Sequence, residues 1–296
     1  MVVLIAGCGS GPRSRTEASP PPDTTAAAAV DAVPAPPPPP SITYSRVPLR
    51  TDHDVRAFRD SIDARMWKSV LDVNRLDSTH VRPGDTLIVP SSHDLLALSP
   101  FPARLDAVGD TSKLLLVSRR VQAFGVYEMG RLIHWGPVST GRREKPTPVG
   151  LYHTNWKDKH RLSTIDSTWV LLWYLNLDNL QGVSLHQFEL PGRPASHSCI
   201  RLLEEDASWL FVWADAWVLG VDRRTVARSG TPVVIFGNWK YGGRAPWKQL
   251  PEDPNATRLT DAEMEDALRI LRENVRPDYS TATGPATTST GTSPSR

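Results

Sequence analysis

Two histidines, a cysteine and an arginine fall within sixteen residues, His186-Gln-Phe-Glu-Leu-Pro-Gly-Arg-Pro-Ala-Ser-His197-Ser-Cys199-Ile-Arg201. Apart from Cys8, Cys199 is the only cysteine in the chain. A thiol of ordinary pKa, about 8.5, is only a few per cent ionised at neutral pH, so a nucleophilic cysteine needs an imidazole or another cation beside it. His186, His197 and Arg201 supply both kinds. His186, His197 and Cys199 could instead hold zinc with an open position, but no clear fourth ligand or carboxylate base stands nearby in sequence. A buried, inert cysteine is the remaining reading.

The elements that must position these groups are legible around them. Val183 to Phe188 alternates as a strand does, which places Ser184, His186 and Phe188 on one face and Val183 and Leu185 on the other. Pro191-Gly-Arg-Pro194 then turns the chain back, so that His186 can face Cys199. Upstream, Lys113 to Ser118 reads as a buried strand and Gln122 to Tyr127 as an alternating one. Glu128-Met-Gly-Arg131 reads as a hairpin turn, Leu132 to Trp135 as the returning strand, and Trp169 to Leu177 as a strand leading toward His186. Downstream, Glu204 to Asp215 reads as a helix with acidic residues in its first turn. Its apolar stripe, Trp209, Val212, Trp213, Ala216 and Trp217, is expected to face the core. Thr231 to Phe236 reads as a last strand, and Leu259 to Asn274 as a helix that Asp261 could cap.

Ser196-His-Ser-Cys-Ile-Arg201, preceded by His186, resembles the Ser-His-Gly-Cys-Val/Ile-Arg signature of the YkuD-type L,D-transpeptidases of bacterial cell walls. Pro137-Val-Ser-Thr-Gly141 and Pro146-Thr-Pro-Val-Gly-Leu-Tyr152 resemble two further elements of that family, in the expected order. Two departures stand out: Ser198 occupies the place of a glycine, and the His-to-Cys interval is a few residues shorter than usual. The resemblance implies a mainly β sandwich with one packed helix and the site in a cleft. It implies Cys199 as nucleophile and His186 as proton shuttle, with His197 shaping the site or polarising the thiol. Arg201 would bind a substrate carboxylate or brace the loop, and Ser196 would bond the active histidine. The substrate implied is a peptidoglycan stem peptide, cleaved before its terminal D-alanine, with the acyl group passed to an amine. Water as acceptor would make the enzyme an L,D-carboxypeptidase. No metal or organic cofactor is implied. A wall-binding lipoprotein without activity is a reading from a different class. His134, His153 and His160 are read as ordinary surface or sheet residues.

The 296 residues, with 34 basic and 32 acidic side chains, carry a net charge of +2 and no polybasic block, which gives no sign of nucleic acid as partner. Leu4-Ile-Ala-Gly-Cys8 resembles a lipobox, so Cys8 is expected to carry a lipid as the only membrane attachment, in the cell envelope or periplasm. Its apolar run is too short to span a bilayer. Residues 1–41 read as lipobox plus a disordered Pro/Ala-rich spacer. Residues 42–92 read as a small α/β module, strand, two helices and a closing strand after Pro83-Gly84. Val70 to Leu76 and Arg82 to Pro90 resemble the end of a LysM module, which implies glycan strands as a partner. Residues 91–110 read as a linker, 111–240 as the catalytic domain, and 241–296 as a partly helical extension with a disordered tail from Ser280.

Overall fold

The computed structural model describes residues 41–163 and 165–273. Cys8, the Pro/Ala-rich spacer up to residue 40 and the tail from Ser280 lie outside the described residues.

The chain begins with β1 (Tyr44–Pro48), α1 (Asp52–Asp60), α2 (Ala64–Asn74) and β2 (Thr86–Pro90), and the two strands pair antiparallel. Thr51 starts α1 through a capping box with Asp54, and Asp63 caps α2 by accepting from the Met66 amide. Leu49, Trp67, Val70, Leu76, Val81 and Leu87 form a small core beneath them.

The larger part contains β3 (Leu114–Ser118), β4 (Ala123–Glu128), β5 (Arg131–Ser139), β6 (Gly150–His153), β7 (Lys157–Leu162), β8 (Val170–Asp178), β9 (Val183–Gln187), β10 (Ile200–Leu202) and α3 (Glu204–Trp213). A two-stranded ribbon, β11 (Val218–Leu219) with β12 (Val226–Arg228), precedes β13 (Pro232–Phe236) and α4 (Asp261–Glu273). The expected mainly β fold is present. Nine strands join in one sheet, ordered β6-β13-β3-β4-β5-β10-β9-β8-β7, and its two ends curl over a shared core. Alternation on β3 divides the interior. Leu115 and Val117 point into the core shared with Leu175, Leu185, Ile200 and Leu210, whereas Leu114 and Leu116 join Trp135, Trp247 and Met264 on the other face.

Three sequence expectations are corrected here. Residues 91–110 are no bare linker: Leu98, Phe101, Leu105 and Val108 are buried in the core with Leu114 and Trp135. In α3 the buried residues are Asp206, Ala207 and Leu210, while Val212 is 81% exposed and Trp209 37%. Trp209 and Val212 therefore lie outside the core, while Trp213 packs partly buried against it; Trp209 meets the His134 ring at a tilt and stacks on Trp213. Finally, Thr260 rather than Asp261 caps α4, accepting from the Glu263 amide at 3.2 Å while Glu263 accepts from the Thr260 amide at 3.0 Å.

Candidate active site

The site lies where β9 and β10 run parallel inside the sheet, between β5 and β8. Their register pairs Leu185 with Ile200 and His186 with Arg201, so one residue earlier Cys199 lies beside Ser184. The contact is direct: Ser184 Oγ donates to Cys199 Sγ at 3.2 Å, and the thiol donates to the Gly182 carbonyl at 3.3 Å. Ser184 and His186 are two apart and share a face, and the imidazole and the sulfur both line one open cleft. Trp169, Leu171, Phe188, Ser196, His197 and Arg201 complete most of its wall.

Electrostatics keep the pair neutral at rest. Burial pulls the His186 imidazole down to about 4, and burial pushes the Cys199 thiol up. The sequence suggests a thiolate made by a charged neighbour; the structure instead holds a thiol and a neutral base lining the same cleft. His186 Nδ1 lies 2.9 Å from the Gln187 carbonyl. A carbonyl only accepts, so Nδ1 carries the proton and Nε2 keeps its lone pair. Such a pair can transfer a proton during nucleophilic attack, without a standing ion pair.

His197, beside Cys199 in sequence, has a different environment. Its Nδ1 is buried without a hydrogen-bond partner, and its ring lies 6.0 Å from that of Trp169. Burial first, then the charges of Arg142, Arg201 and Lys145, hold its pKa below the usual value. The Arg201 guanidinium lies 4.5 Å from the Phe188 ring centroid, a cation–π contact that presents it at the cleft wall. Ser196 does not bond a histidine, as was expected of it; its hydroxyl donates to the Cys199 carbonyl and so closes the turn before β10.

The other two motifs act as a buttress for that turn. Thr140 accepts from the Ala195 and Ser196 amides at 2.9 and 3.1 Å, and Thr147 Oγ1 donates to the Ser198 carbonyl at 2.8 Å while accepting from the Gly141 amide at 2.8 Å. A side chain at Gly141 would meet the Lys145 carbonyl at 2.1 Å, so only glycine fits between the two motifs. Ser198 has φ +85°, the left-handed region a glycine enters freely and an L-residue enters with strain. The departure from the glycine signature thus leaves the turn's backbone as a glycine would have it.

Sequence reasoning missed Ser184 as a partner of the sulfur, although the alternation that placed it on the face of His186 was the signal. Trp169 was read only as the start of a strand. Among the described residues, no group of three His, Cys, Asp or Glu side chains is placed to hold a metal.

A mainly β domain with a thiol and a neutral imidazole in one cleft has the equipment for cysteine-based acyl transfer. Residues 112–235, from just before β3 to within β13, match the model of the L,D-transpeptidase catalytic domain, YkuD. Among solved structures, an L,D-transpeptidase from Stackebrandtia nassauensis is 24% identical over 44% of this chain and 57% of that one, with a TM-score of 0.36. L,D-transpeptidase 3 from Mycobacterium tuberculosis, in complex with a faropenem-derived adduct, is 21% identical over 43% and 60% of the two chains, with a TM-score of 0.34. An L,D-transpeptidase from Mycobacterium smegmatis is 18% identical over 43% and 59%, also at 0.34. The chain thus covers less than two thirds of the length of each. No curated protein matches it.

Proposed function

We propose that this protein is a peptidoglycan L,D-transpeptidase in which Cys199 is the nucleophile and His186 the base. Cys199 Sγ attacks the carbonyl of the third stem residue as its proton passes to His186 Nε2. The imidazolium then protonates the leaving D-alanine amine, and the thioester remains. Backbone amides at Ser198 and Cys199 stabilise the oxyanion. An amine of a neighbouring stem takes the acyl group and restores the thiol; water in its place gives the carboxypeptidase reaction. Arg201, held on Phe188, offers its guanidinium to a substrate carboxylate. His197 shapes the wall beside Trp169.

The observation that carries this reading is the neutral thiol–imidazole pair in an open cleft, with the proton of His186 fixed on Nδ1. The β-α-α-β order of residues 44–90 supports a LysM-like module that touches glycan strands, and attachment through a lipid on Cys8 would place the enzyme in the cell envelope. The test is mass spectrometry of the purified chain after incubation with a carbapenem, beside Cys199→Ala. A single adduct on Cys199, absent in the variant, is expected, together with loss of crosslinks between third residues in muropeptides of cells carrying Cys199→Ala. A folded wild-type protein that takes no adduct would favour a non-catalytic wall-binding role.

A further inference from the structure

The segment between the reactive residues is gripped by a part of the chain that the catalytic-domain match leaves out. Asp77 Oδ2 accepts from the Leu190 amide at 2.7 Å, and the Asp77 amide donates to the Leu190 carbonyl at 3.0 Å. Beside this pair, the Gly192 amide donates to the Arg75 carbonyl at 3.0 Å, and Leu76 bridges to Pro191. Leu190 is wholly buried there.

The grip is itself firmly held. Arg75 lies in the left-handed region, φ +61°, at the end of α2. Its buried guanidinium sits 5.3 Å from the ring centroids of both Trp135 and Trp247 and donates through Nε to the Val121 carbonyl at 2.8 Å. Asp77 Oδ1 accepts from the Thr79 hydroxyl at 2.6 Å and from the Thr79 amide at 2.8 Å, and the His80 ring stands 2.9 Å from Oδ2. The ends of the same segment are fixed by the larger part instead: Phe188 donates to the Leu202 carbonyl at 3.1 Å, and Ser139 Oγ donates to the Arg193 carbonyl at 2.8 Å.

We infer that Asp77 is a positioning residue: with Arg75 it fixes Leu190 to Gly192, and so sets the path by which the chain leaves His186 and arrives at Cys199. On this account residues 44–90 are a working part of the site and not only an appended wall-binding module. Replacing the carboxylate by a methyl group takes the acceptor from the Leu190 amide, while the backbone bonds from Asp77 to Leu190 and from Gly192 to Arg75, and those at the two ends, remain.

The test compares Asp77→Ala and Asp77→Asn with the wild-type full chain. Asparagine keeps an oxygen to accept from Leu190; alanine does not. Two quantities are read by peptide mass spectrometry, which separates Cys199 from Cys8: hydrogen exchange over residues 188–195, and the pH midpoint of iodoacetamide alkylation at Cys199. In folded Asp77→Ala, exchange should rise about tenfold, as for loss of one charge-assisted hydrogen bond, and the midpoint should move, with Asp77→Asn restoring most of both. A folded Asp77→Ala with wild-type exchange and an unmoved midpoint would overturn the inference. Should that variant not fold, Asp77→Glu, which keeps the charge but moves the carboxylate one methylene away from the Leu190 amide, takes its place under the same two outcomes. The inference deepens the function proposed above. Because both readouts need only a thiol and a backbone, a chain that takes no carbapenem would sink that function and leave this test standing.

Discussion

Thr147→Val removes one hydroxyl from the centre of the buttress and leaves the shape almost unchanged. Thr147 is 1% exposed, and its Oγ1 serves the Gly141 amide and the Ser198 carbonyl, each at 2.8 Å. With valine there, a buried amide loses its acceptor, at about 1–3 kcal/mol, and a half-buried carbonyl loses its donor, at about 0.5–1.5 kcal/mol. Because no cavity forms, the total is roughly 1.5–4.5 kcal/mol and comes from hydrogen bonding alone. Thr147→Ser keeps the hydroxyl and gives up a methyl, at about 0.8 kcal/mol. Urea unfolding followed by tryptophan fluorescence measures both. Cys199 alkylation should also change in the valine variant, since the freed carbonyl belongs to the residue before the sulfur. If valine costs no more than serine, the buttress does not hold the turn, and the reasoning from these distances fails.

Ser198→Gly relieves a φ of +85° and should stabilise the fold by about 0.5–1 kcal/mol, once the extra freedom glycine has in the unfolded chain is offset; a lower denaturation midpoint would contradict it. Asp72 is buried, and burial, with the charge of Asp206 and against that of Lys68, pushes its carboxyl up to about 7. The folded chain then keeps a proton the unfolded chain releases, so this contribution is complete below about pH 4 and is lost as pH rises through about 7. Asp72→Asn should therefore gain on the wild type by about 2–4 kcal/mol between pH 4 and 8, and an equal gap at the two ends of a melting series would refute it. The neutral His186–Cys199 pair predicts that alkylation of Cys199 climbs steadily from pH 6 to 9. A plateau beginning near pH 5 would mean an ion pair at rest.

The chemistry-bearing residues were readable because strand alternation is a local property: Ser184 and His186 share a face whatever else the chain does. The pairing of β9 with β10 was not readable, since a parallel register is set by contacts distant in sequence, and with it went the Ser184–Cys199 contact. In α3 the aromatic residues drew attention by size, whereas Ala207 and Leu210 decide which face meets the sheet. Residues 91–110 carry too little periodicity to announce an element, yet Phe101 packs against the backbone at Gly125, where a Cβ would come within 2.7 Å of its ring. β7 went unrecognised because it is an edge strand rich in lysine and arginine, with half of its residues exposed and none buried.

Parallel neighbours cannot be joined by a tight hairpin; the chain must travel back along the full length of a strand, which takes a dozen residues or more. Between Gln187 and Ile200 this protein has twelve, residues 188 to 199, and they include the nucleophile's own turn. The connection is therefore at its geometric floor. Lengthening it would add to the rim of the cleft and leave both strands in place, while deleting two or three residues would drag β10 out of register with β9. Variation in this loop should run in one direction only, toward insertion.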